Sequence, residues 1–280
     1  MQTGSRKYLF SPHSSETNTH QDFNKLQICQ CFHMYQRSFL EECQWKSVPW
    51  QYLPKGPFDQ LCDIFSDLPG FAVDIALQEM GGPDVSGRIQ EAWFALLAWR
   101  LDWEETNPHA IQNDDITRLR MEMANGQTSL PEMLWMDLEF ENLSQAHQIL
   151  TYNAALLHLA RFGAPIFPDP ECKRDVNRMP LTADELADVR REAQRADGGL
   201  LLPGAMVHPC QATIEATRAL RYIVKQMRSN PGGKVSMVTF SQADIVYWNL
   251  LGQPELQTEL DALSVDIPIY RNGSSGFREF

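Results

Sequence analysis

The sequence predicts an all-α protein, built as a single multi-helix, bundle-like domain. Three observations predict it. Apolar residues recur at helical spacing along most of the chain, glycine and proline punctuate those stretches at their ends, and no two runs alternate in the way paired strands would. With 280 residues, 43% of them hydrophobic, one large core is the simplest way to bury the apolar surface. The polar, Ser/Thr-rich residues 1–22 are expected to be a flexible N-terminal segment, 23–270 the helical body and 271–280 a flexible tail.

The elements follow in order. FNKLQICQCFHMYQRSFLEEC (23–43) reads as one amphipathic stretch. After the proline-rich VPWQYLPKGP comes FDQLCDIFSDLPGFAVDIALQEM (58–80), a helical pattern expected to break near Pro69 and Gly70 and to close at GGPDVSG. From Asp84 the pattern runs to Glu105, where Asn107 and Pro108 stop it. Asn113 and Ser129 are N-cap candidates, Pro131 suits a first helical turn and Gly126 a C-cap. A long helix is expected over 132–162, ended by Gly163 and Pro165. Thr182 and Glu185 then form a capping box for a helix that Gly198 ends. Two more helices, 209–229 and 237–251, complete the body, the second apolar on nearly every side and stopped by Gly252 and Pro254.

Charge and cysteine usage bound the function. A formal net charge of −12, from 24 Lys and Arg against 36 Asp and Glu, argues against a nucleic-acid surface, because phosphate binding runs on clustered cations. Six scattered cysteines, at 29, 31, 43, 62, 172 and 210, with no secretory signal ahead of them, read as free thiols in a reducing compartment, so nucleus or cytoplasm is expected rather than secretion. The longest apolar run, AWFALLAW at 92–99, falls far short of the roughly 20 residues that span a bilayer.

No Walker loop, G-x-G-x-x-G, G-x-S-x-G or H-E-x-x-H occurs, so no cofactor is expected. In CQCFH, Cys29, Cys31 and His33 stand two apart, a spacing that points helical side chains in different directions, and no metal site is expected there. NDDITR (113–118) has the paired aspartates of a class I terpene synthase motif, but Arg118 stands where a third carboxylate is needed. Helix N-capping explains the pair better.

The candidate ligand-binding residues are polar or aromatic groups set among apolar ones: Arg100, Trp103, Tyr152, His158, Tyr247 and Trp248. Arg100 falls inside the stripe Ile89, Trp93, Leu96, Trp99 and Trp103, where a cation must snorkel, stack on an indole, pair with a buried carboxylate or meet an anionic ligand. Pairing is the expected outcome. Around Tyr152 both flanks of the helix are apolar, leaving a narrow strip of His147, Thr151 and His158, with Asn153 on the other flank. A solvent seam is the expected place for these polar groups, and a pocket wall the alternative. Arg218, Arg221, Lys225 and Arg228 read as a solvated face that balances neighbouring carboxylates.

Five segments together are similar to a known family: FDQLCDIFSDLPGFAVDIALQ, the Trp-bearing helix ending LDWEETNP, LTYNAALLHLARF, HPCQATIEATRALRYIV and MVTFSQADIVYWNLL. In order and texture, residues 55–252 resemble the C-terminal half of the fungal-specific regulatory region of binuclear zinc-cluster transcription factors. The resemblance implies an all-helical regulatory or ligand-binding domain that senses metabolites and restrains activation, a homodimer or a heterodimer with an intact factor, and a hydrophobic metabolite as ligand. It departs from the family in one respect. The C-x2-C-x6-C cluster within a basic segment has no counterpart between Cys29 and Cys62, so the chain is expected not to bind DNA that way. Two functions follow: a transcription-factor-like regulator acting through a small molecule or a protein partner, or an enzyme of fungal secondary metabolism. The enzyme would be a cofactor-free cyclase or pericyclase that folds a hydrophobic substrate in an apolar helical cavity, a chemistry that leaves no motif.

Overall fold

The computed structural model describes residues 27–28, 30–32, 34–52, 54–78, 85–110, 138–162, 211–229 and 237–251. Most of these are helical, with no strand among them, so the protein is all-α in its described part. The α-helices are α1 (Cys43–Ser47), α2 (Pro57–Phe65), α3 (Leu68–Gln78), α4 (Ser86–Thr106), α5 (Leu143–Arg161), α6 (Gln211–Ser229) and α7 (Met237–Leu251). Two 3-10 turns, Phe39–Glu41 and Val48–Trp50, flank α1. The Asn113, Ser129 and Thr182–Glu185 caps and the NDDITR segment lie outside the described residues.

The segment expected to be one stretch over 23–43 is interrupted. Helical residues 27–28, 30–32 and 34 end where Tyr35 takes a left-handed φ of 49°, and Gln36 N–H reaches back to the Cys31 carbonyl at 3.0 Å. That reverse bond closes the helix as a glycine C-cap would, here with a tyrosine. The break expected at Pro69 and Gly70 falls earlier, at Ser66 and Asp67. Pro69 occupies the first turn of α3, where its missing N–H costs nothing, and the Ser66 hydroxyl bonds the Asp63 carbonyl at 2.8 Å.

Gly70 is needed for another reason. The Glu41 carboxylate lies against it, held by Arg37 at 2.7 Å and by Arg88 at 2.6 Å, and the same two guanidinium groups also hold the buried Asp74. This ring of four charges fastens the 37–41 segment to α3 and α4. A Cβ at position 70 would stand 2.8 Å from Glu41 Cδ. Gly70→Ala is therefore expected to destabilise by about 1–2 kcal/mol in urea melts, despite alanine's better helix propensity of roughly 1 kcal/mol.

The central helix begins later than the pattern suggested. Residues 138–142 are not helical, and α5 starts at Leu143 behind an Asn142 cap: Asn142 Oδ1 accepts from Gln145 N–H at 3.0 Å, and Gln145 Oε1 accepts from Asn142 N–H at 3.2 Å. This reciprocal pair is a capping box with Asn and Gln as its members. From there α5 packs against α2, α3, α4, α6 and α7. Ala146, Ala154 and Ala155 on α5 and Ala212, Ala216 and Ala219 on α6 are fully buried, and side chains this small let the two helices approach closely.

Candidate functional site

The stripe on α4 is buried as its spacing predicts: Ile89, Trp93, Leu96, Trp99 and Trp103 all belong to the core. Arg100 sits among them with 0% exposure. Neither snorkelling nor a free ligand site describes it; it is paired. Its Nη1 and Nη2 each lie 3.4 Å from an oxygen of Glu215 on α6, and Nη2 lies 3.0 Å from Glu104 one turn along α4. Its faces are covered by Trp103, with the ring centroid 5.5 Å from the guanidinium carbon, and by Tyr152, at 5.2 Å. Burial opposes the charge on Arg100, and Glu215 and Glu104 outweigh it, so its pKa stays above the ordinary arginine value.

Around this ion cluster α5 contributes a polar edge. Asn153, fully buried, donates from Nδ2 to Glu215 at 2.7 Å and to the Ile149 carbonyl at 3.0 Å. Tyr152, also fully buried, stacks on Trp99 with ring centroids 5.7 Å apart. Its hydroxyl pKa is pushed up by burial and further by Glu215 and Glu104, with Arg100 acting against them, so it is held protonated. Two atoms of this centre have no hydrogen-bond partner: Tyr152 Oη and Asn153 Oδ1. Trp93 Nε1, about two turns back along α4, is a third.

The polar strip of α5 is the expected solvent seam only in part: His147 and His158 are partly exposed, whereas Thr151 and, on the other flank, Asn153 are buried. Thr151 is buried and accepts a hydrogen bond from Gln242 of α7 at 2.6 Å while donating to the His147 carbonyl at 2.8 Å. Thr151 is internal because α7 covers it, a contact between residues about ninety positions apart that helical spacing alone cannot show. On α6, Arg218 is likewise buried rather than solvated. Lys225, 60% exposed, keeps to the expected face and stands 3.9 Å from Glu139.

Of the six candidates, then, Arg100, Trp103 and Tyr152 converge. His158 does not join them. It is partly buried in an aromatic box, stacked on Phe32 at 4.4 Å and edge-on to Phe65 at 6.2 Å. Tyr247 packs partly buried against the core, and Trp248 lies on α7 with its side chain outside the described residues. Glu215 and Asn153 complete the centre without having been singled out as candidates. Glu215 carried the same signal as Arg100, a charge in an apolar helix face, between Ala212 and Ala219. A separate surface pocket of about 230 Å³, lined by Lys46, Asp63, Asp67, Arg88 and Glu91 over Phe71, contains none of the six.

Two outcomes follow from these placements. Tyr152→Phe removes a hydroxyl that has no partner and keeps the ring, so thermal melts are expected to show stability raised by about 1 kcal/mol. Burial, and secondarily the charge of Arg161, lower the His158 pKa from 6.5 to about 3. The unfolded chain then takes up this proton before the folded one does. The stability that the neutral ring contributes is complete above pH 6.5 and is lost as pH falls from there towards 3, at up to about 1.4 kcal/mol per pH unit. His158→Phe should flatten that part of the pH–stability curve; an unchanged slope would place the titration elsewhere.

Fold and centre together define an all-α protein whose described core holds an arginine between two carboxylates. No protein-family model, no curated protein and no solved structure matches the chain. Among the described residues no helix is long and apolar enough to cross a membrane, and no three His, Cys, Asp or Glu residues are grouped to hold a metal ion.

Proposed function

We propose that the chain is a transcription-factor-like regulatory protein with no DNA reader of its own, which senses a small molecule at the junction of α4, α5 and α6. One observation carries this reading: Tyr152 Oη and Asn153 Oδ1 are fully buried beside Arg100 and Glu215 and have no partner. An unsatisfied buried polar atom costs on the order of 1–3 kcal/mol, a deficit that a bound molecule removes. The net charge of −12 fits a protein that meets other proteins or metabolites rather than duplex DNA, and the texture of the helices resembles the regulatory region of zinc-cluster factors.

The test incubates the purified chain with an extract of its source organism and analyses the protein by native mass spectrometry, with Tyr152→Phe in parallel. The expected result is one small molecule retained unchanged by the wild type and retained less by Tyr152→Phe. Conversion of an extract component into a product would replace the sensor with the cyclase reading. Retention of nothing would overturn the small-molecule function.

A further inference from the structure

The surface cavity of about 230 Å³ shares no residue with the centre around Arg100. Two helix faces make its walls. Arg88, Glu91, Ala92 and Ala95 stand three or four apart along α4 and so lie on one face, while Asp63 and Asp67 stand four apart where α2 ends and the chain turns into α3. Lys46 of α1 adds a rim, and the buried Phe71 of α3 lies beneath.

The charges that border this space do not balance: two are cations and three are carboxylates. Arg88 is committed to groups outside the lining, with one arm 2.6 Å from Asp74 and the other 2.6 Å from Glu41, and its guanidinium carbon lies 5.0 Å from the centroid of the Phe71 ring. Lys46 meets Asp67 at 2.5 Å, and Lys55, also outside the lining, meets Asp63. Glu91 is exposed and has no ion partner among the described residues. Burial pushes the carboxyl groups of Asp63 and Asp67 above their ordinary pKa, and the lysines that act against it do not offset it. A further positive charge is therefore favoured by both walls, whereas an anion would add to the surplus of carboxylates.

We infer that this cavity takes a small organic monocation, an ammonium group paired with Glu91 within the field of Asp63 and Asp67 and carried on an apolar body that lies against Ile64, Ala92 and Ala95. Among the described residues no three carboxylates are grouped to hold a metal ion, whereas an ammonium needs only one close carboxylate and gains from the field of the others. The space sets the size of the body: a cavity of roughly 150 Å³ already holds benzene, so one ring with a short arm fits. The inference goes beyond the sensor reading and does not rest on it, and either can fail while the other stands.

Three probes of similar shape separate the possibilities: benzylamine, a cation at neutral pH; benzyl alcohol, which is neutral; and benzoate, an anion. Titrated calorimetrically into the full chain in low-salt buffer, benzylamine is expected to bind at least tenfold more tightly than the other two and to weaken as salt is added. Glu91→Gln is expected to weaken benzylamine at least fivefold while thermal melts stay at the wild-type value, because the side chain is exposed and holds no described ion partner. Ala95→Phe, at an exposed position on the same wall, fills the space without altering a charge and should abolish benzylamine binding. Benzyl alcohol or benzoate binding as tightly as benzylamine, benzylamine binding that ignores either variant, or no binding of any probe would each overturn the assignment.

Discussion

Replacing Arg100 with methionine is expected to cost about 3–5 kcal/mol of folding stability, enough to leave many single domains largely unfolded. Methionine fills much of the same volume and packs well against Trp103 and Tyr152, so the loss does not come from a cavity. It comes from the carboxylates left behind. Glu215 is buried, and without the guanidinium it still accepts from Asn153 but has lost the cation it faces. Desolvation of an unpaired carboxylate is the dominant cost, and it should appear as a lower urea midpoint. Urea melts of Arg100→Met with and without Glu215→Gln check this: neutralising the carboxylate should recover part of the loss, whereas no recovery would mean that volume, not charge, decides.

The second large effect is expected at Trp103. Its ring is almost fully buried, covers one face of Arg100, stacks near Trp99 at 6.3 Å, and donates from Nε1 to Gln148 on α5 at 2.5 Å. Trp103→Ala removes all of this and should cost about 3–5 kcal/mol. Trp103→Phe separates the contributions. It keeps most of the apolar body and loses the Nε1 bond, so about 1–2 kcal/mol is expected. Chemical denaturation of both variants is the check, and an alanine variant within about 1 kcal/mol of wild type would mean that Trp103 does not stand in a packed core.

Helical spacing made the fold class and the α4 core legible, because both depend on residues within one or two turns of each other. The stripe from Ile89 to Trp103 and the pairing of Arg100 followed from the cost of burying a lone charge, without knowledge of the partner. Its partner was not legible. Glu215 stands 115 positions away, and one sequence cannot say which of two charges embedded in apolar faces meet. The burial of Thr151 on α5 turned on α7, again a distant element. Boundaries slipped where unusual residues did ordinary work: a tyrosine in the left-handed region at Tyr35, an Asn–Gln capping box at Asn142, and a proline that begins α3 instead of breaking it. His158 was grouped with Tyr152 because both interrupt one apolar helix, but they lie six positions apart, about 240° around α5, and reach different neighbours.

A double-mutant cycle across the α4–α6 contact tests the arrangement most directly. Arg100→Met, Glu215→Leu and the pair together would be compared with wild type by urea denaturation at neutral pH. If the arginine and the glutamate face each other in a closed core, the double variant should recover at least half the loss of the worse single variant, a coupling on the order of 2–3 kcal/mol. Losses that simply add, within about 0.5 kcal/mol, would mean that the two side chains do not meet, and the centre on which the sensor reading rests would be gone.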